Sequence, residues 1–106
     1  MAAGPALFEP IDTPFGRIGL SICYDLRFPE VARFAATRGC QLLINPAAWV
    51  DGRLKAEQWR TLLSARAIEN EIFVAGLSRV DKGYIGQSAV FGPDGVMLAS
   101  GSVREE

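Results

Sequence analysis

The sequence contains no histidine, two cysteines and two lysines in 106 residues. The missing histidine excludes a Cys–His dyad and a Ser–His–Asp triad, and it removes the commonest zinc ligand. Any base acting on a nucleophile in this chain is therefore a carboxylate or an amine. Cys23 and Cys40 are too few for a disulfide framework and do not have a metal-ligand spacing. No apolar run approaches the roughly 20 residues that a membrane span needs. Met1 to Leu7 lacks the cationic start and apolar stretch of a signal peptide. A cytoplasmic setting with both thiols free is the expectation. The formal net charge is −1, and like charges do not form runs, so no field attracts nucleic acid or an anionic membrane. There is no glycine-rich phosphate loop, which counts against a flavodoxin-like small-molecule binder.

What is present points to one globular domain spanning residues 1–106, with 49% hydrophobic and 22% charged residues. Residues 1–10 read as an irregular lead-in, and Thr13 to Gly16 as a turn. Arg17 to Ile22 alternates, with Ile18, Leu20 and Ile22 on one face of a strand. Gly19 within it suggests close approach of another backbone. Pro29 opens a helix that carries Val31, Phe34 and Ala35 and stops at Arg38-Gly39. Gln41 to Asn45 reads as a strand buried on both faces and ended by Pro46. Asp51 is placed to cap a second helix over 54–70, with Trp59, Leu62, Leu63 and Ala67 on one face. Glu71 to Ser78 is a third strand, and Asp81-Lys82-Gly83 a loop. Gln87 to Phe91 and Val96 to Ser100 form a hairpin around Gly92-Pro93-Asp94-Gly95. The order β-α-β-α-β plus a β-hairpin predicts an α/β layered sheet with an antiparallel edge.

Cys23 falls where a strand ends and a helix is about to begin. Reactive groups gather at the carboxyl ends of strands in such sheets. Unpaired N–H groups at the start of a helix stabilise a thiolate or an oxyanion. The alternative is a small buried hydrophobe, and Cys40, before an apolar strand, is read that way. Trp49, just past a strand end, is either a wall of an acyl pocket or a core aromatic. Arg27 and Glu30 are spaced for a structural ion pair. Arg66, Glu69 and Asn70 are placed to brace loops, and Asp25 to cap backbone.

The string Gly16-Arg17-Ile18-Gly19-Leu20-Ser21-Ile22-Cys23-Tyr24-Asp25-Leu26-Arg27-Phe28-Pro29-Glu30 closely resembles the nucleophile block of the nitrilase superfamily of carbon–nitrogen hydrolases. So do three later blocks in family order: Asn45-Pro46-Ala47-Ala48-Trp49; Trp59 with 65–70 (A-R-A-I-E-N); and Gly86-Gln87-Ser88 with Pro93-Asp94-Gly95. The resemblance covers about residues 12–101. Tyr24-Asp25-Leu26-Arg27-Phe28 is similar to the amidase branch, close to omega-amidases and deaminated-glutathione amidases, rather than to true nitrilases.

The resemblance implies part of a four-layer α-β-β-α sandwich, with this segment feeding both sheets. It implies a linear amide substrate and a thioester on Cys23. It also implies an oxyanion donor at the Tyr24 backbone N–H and no metal or organic cofactor. A homo-oligomer through helices 29–38 and 54–70 follows from it too. The family's glutamate base and lysine precede the cysteine. Here Lys55 and Lys82 follow Cys23, and Glu9 does not match the pattern. The chain is thus expected to be a partial domain, inactive alone and association-prone. The competing reading is a non-catalytic relic or association module.

Overall fold

The computed structural model describes residues 7–79 and 83–102. The loop expected at Asp81 and Lys82 lies outside them. Strand β1 (Ile11–Thr13) pairs antiparallel with β2 (Gly16–Leu20). The Thr13 hydroxyl pins the turn by donating to the Gly16 carbonyl at 2.7 Å and accepting from the Phe15 N–H at 3.1 Å. Strands β2, β3 (Leu42–Ala47) and β4 (Phe73–Ser78) run parallel. The crossovers are helices α1 (Pro29–Thr37) and α2 (Lys55–Asn70). Strands β5 (Gln87–Phe91) and β6 (Met97–Ser102) complete the opposite edge as an antiparallel hairpin.

The expected β-α-β-α-β order with its terminal hairpin is therefore present. The expectation that the segment feeds two sheets is corrected, because all six strands join one sheet in sequence order. Both helices pack on one face of that sheet and against each other. That face buries Leu43, Val74, Ala32, Ala35, Trp59, Leu63 and Ala67 in one cluster. Ile18, Leu20 and Ile22 do share a face, as their alternation predicts, but it is the uncovered one. Leu20, Phe73 and Leu77 stay substantially exposed there. β3 is accordingly buried on one side only, with Leu42 and Ile44 half-buried.

Three local expectations change. Pro46 lies inside β3, opposite Leu77. The Ile44 carbonyl accepts from Ser21 N, so by alternation Pro46 N faces the same flank, beyond Leu20, the last paired residue of β2. No ladder bond is lost there. Asp51 does not cap α2; its carboxylate accepts from the Gly52 N–H at 2.8 Å. The helix starts instead from Leu54 in a left-handed conformation, φ 64°. The close approach at Gly19 is to side chains. A Cβ there would lie 2.8 Å from Cys40 Sγ and 3.0 Å from Ala35 Cβ.

Candidate active site

β2 ends at Leu20, and Ser21 is tied to β3 by its N–H on the Ile44 carbonyl at 3.1 Å. The Ser21 hydroxyl accepts from Asn45 Nδ2 at 2.6 Å, and both side chains are buried. The chain then passes through extended Ile22 to Cys23, whose φ is +50°. A left-handed residue with a side chain stores about 1–3 kcal/mol and persists only where its surroundings over-determine it. The Cys23 thiol is free and half-buried.

The connection that follows is a 3-10 turn, Cys23–Arg27, and α1 begins at Pro29 as expected; Pro29 has no N–H to offer. The turn closes through Asp25 N on the Ile22 carbonyl and Phe28 N on the Asp25 carbonyl, both 2.9 Å. Among the described residues the Tyr24 N–H meets no acceptor. The donor beside Cys23 therefore belongs to the 3-10 turn and not to α1. Asp25 serves the turn through its carbonyl; its carboxylate caps no backbone among the described residues.

Around this turn the structure gathers Tyr24, Arg27 and Trp49. The Arg27 guanidinium lies 5.0 Å from the Tyr24 ring and 5.1 Å from the Trp49 ring. Its Nη2 donates to Gln58 Oε1 at 3.0 Å. The expected Arg27–Glu30 ion pair is absent among the described residues, because the guanidinium turns toward the rings and α2 while Glu30 faces solvent. Trp49 is 5% exposed, tilts against Trp59 at 5.2 Å and donates its indole N–H to the Lys55 carbonyl at 2.9 Å. Of its two readings, burial favours the core aromatic.

The bracing expected of Arg66 is present. Its Nε donates to the Leu26 carbonyl at 3.0 Å and its Nη1 contacts Glu69 at 3.2 Å. Asn70 bonds within α2, donating to the Arg66 carbonyl at 2.9 Å. Cys40 packs as expected: it is buried, and burial pushes its thiol above the ordinary value. Arg33 and Arg60 reach acceptors of their own chain, the Glu69 carbonyl and Gln87 Oε1. The Arg27–Gln58 contact and the buried Ser21–Asn45 pair escaped sequence reasoning. The one available signal was an asparagine closing an apolar strand.

Two open recesses flank α2, of about 470 Å³ beside Arg60 and Phe91 and about 320 Å³ beside Arg27 and Leu54. Cys23 lines neither of them. Among the described residues no three His, Cys, Asp or Glu side chains gather to hold a metal ion. No helix among them is long and apolar enough to cross a membrane.

The family model for carbon–nitrogen hydrolases matches residues 1–106. The deaminated glutathione amidase of Escherichia coli O157:H7 is 44% identical over 94% of this chain and 38% of its own length. The omega-amidase of Homo sapiens is 43% identical over 92% of this chain and 37% of its own length. Among solved structures, a carbon–nitrogen hydrolase from Helicobacter pylori superposes with a TM-score of 0.85 at 33% identity, over 99% of this chain and 43% of that one. A mutant amidase from Nesterenkonia sp. AN1, carrying an acetamide moiety covalently on its active-site cysteine, superposes with a TM-score of 0.82 at 33% identity. It is matched over 97% of this chain and 40% of its own. The chain thus spans about half or less of the length of these relatives.

Proposed function

Because the chain belongs to the carbon–nitrogen hydrolase family of the nitrilase superfamily, we propose that Cys23 is the nucleophile of a linear-amide hydrolase and the Tyr24 backbone N–H its oxyanion donor. The observation that carries this reading is the backbone at Cys23. Just past the end of the parallel strand β2, Cys23 is left-handed, and the next N–H meets no acceptor among the described residues. The names of the relatives, a deaminated glutathione amidase and an omega-amidase, support an amide over a nitrile.

In the reaction a base takes the thiol proton, the sulfur bonds to the amide carbon and the carbonyl π pair moves to oxygen, against the Tyr24 N–H. Collapse breaks the C–N bond, and the nitrogen leaves as ammonia with a proton from the base. Water then attacks the thioester, giving a carboxylate and the regenerated thiol. The glutamate and lysine of the family pattern have no counterpart among the matched positions of this chain. Glu9 is engaged outside, with its carboxylate 2.9 Å from Arg38 Nε. Loss of general-base assistance alone costs about 10²–10⁴-fold. The 106-residue chain by itself is therefore proposed to hydrolyse amides negligibly.

The test has two parts. Ammonia release from a short-chain omega-amide is measured for the chain alone beside a full-length relative. Comparable rates refute the proposed inactivity. Cys23 and Cys40 are then labelled competitively near neutral pH. Rapid, selective alkylation of Cys23 is the expected result, and equal slow labelling overturns the nucleophile assignment. The second reading, a non-catalytic association module, is favoured by the uncovered apolar face and predicts that equal labelling.

A further inference from the structure

We propose that Arg66 is a positioning residue for Cys23, acting from α2 through the Leu26 carbonyl. The inference rests on the reading of Cys23 as nucleophile. Arg66 is 5% exposed. Taking a guanidinium out of water is costly unless its donors are used. Here the Nε goes to the Leu26 carbonyl at 3.0 Å, across 40 positions of sequence. Nη1 lies 3.2 and 3.3 Å from the two carboxylate oxygens of Glu69, one turn along the same helix. The carboxylate orients the fork, and the charged donor makes the bond to the carbonyl a strong one.

That carbonyl belongs to the 3-10 turn that opens at Cys23. The Leu26 side chain is itself 2% exposed, and the next residue, Arg27, is held by Gln58 at 3.0 Å. Residues 58 and 66 lie on one face of α2. The nucleophile is thus suspended between two anchors. Upstream, β3 holds Ser21 through Ile44. Downstream, α2 holds Leu26 and Arg27. Such over-determination keeps a side-chain-bearing residue at φ +50°. Releasing the downstream anchor lets Cys23 relax toward right-handed backbone and swings the Tyr24 N–H away from the sulfur.

The experiment uses the full 106-residue chain. Cys23 and Cys40 are pulse-alkylated with iodoacetamide across a pH series, and the ratio of their rates is read by mass spectrometry. Cys40 is the internal reference for general loosening. The expected result is a ratio well above one in the parent, lowered about tenfold in Arg66→Met. Arg66→Lys, which keeps one charged donor, recovers part of the loss. If Arg66→Met does not fold, Glu69→Gln decides: a fall of roughly threefold is expected, the scale of one partly exposed ion pair. A high parent ratio that is unchanged in the folded variants overturns the proposal. So does a fall produced only by faster Cys40 labelling. A parent ratio near one overturns the nucleophile assignment instead.

Discussion

Cys40 and Gly19 form one contact, and it fixes how closely α1 settles on β2. The Cys40 sulfur donates to the Leu42 carbonyl at 3.1 Å and stands where a Gly19 side chain would go. Gly19→Ala should therefore overpack the site and lower stability by about 1–3 kcal/mol. Cys40→Ala introduced with it should recover part of that loss, with the contact to Ala35 remaining; urea unfolding of both variants measures the difference. The buried thiol also predicts a pH effect. Burial, the largest influence, raises Cys40 above its ordinary value of 9.0, while backbone hydrogen bonds and Arg17 pull the other way. The folded state thus holds the proton more tightly than the unfolded chain. The stability this gives is complete below the unfolded value and is lost as pH rises through the higher folded one. Stability should fall as pH rises above about 9.0, and Cys40→Ala should flatten that decline.

At the scale of elements, α2 organises the molecule. Its Trp59 donates to the Gln87 carbonyl at 2.6 Å, and Trp59 and Leu63 fill the space above Gly76 of β4. Trp59→Phe keeps an aromatic ring but deprives that part-buried carbonyl of the indole donor. The expected loss is about 1–3 kcal/mol, read from thermal or urea unfolding. The apolar stripe of α2 was legible because Trp59, Leu63 and Ala67 recur at helical spacing. The bracing role of Arg66 was legible too, but its burial on the same face was not, since only a distant carbonyl draws the charge inward. Pro46 reads as a strand end in the sequence, yet its missing N–H matters only where a neighbouring strand continues, and β2 stops short of it. β1 has three residues, too few for a period to register. For the candidate site, the local string placed Cys23 at a strand end. The 3-10 turn and the positive φ of Cys23 stayed hidden, because both follow from anchors in β3 and α2 that are remote in sequence.

At the scale of the whole molecule, the sheet has one covered face and one bare one. Alternation in β2 shows that two faces differ, and it is silent on which of them receives the helices. The ladder then decides where the side chains of that face meet. Ile18, Leu42 and Phe73 stand in register across three strands, as do Leu20, Ile44 and Ala75 in the next apolar row. Leu77 extends the patch beside Pro46. Phe73 is 43% and Leu77 49% exposed, with little contact to lose on substitution. A contiguous apolar surface of this kind promotes association in water. The 106-residue chain should therefore bind a hydrophobic dye and sediment as more than a monomer at micromolar concentration. Phe73→Lys with Leu77→Lys should shift the distribution toward monomer. Because neither side chain touches the helix-side core, each change should alter urea stability by only about 0.5 kcal/mol. If the double variant sediments like the parent, the association surface lies on the helices and not on this face.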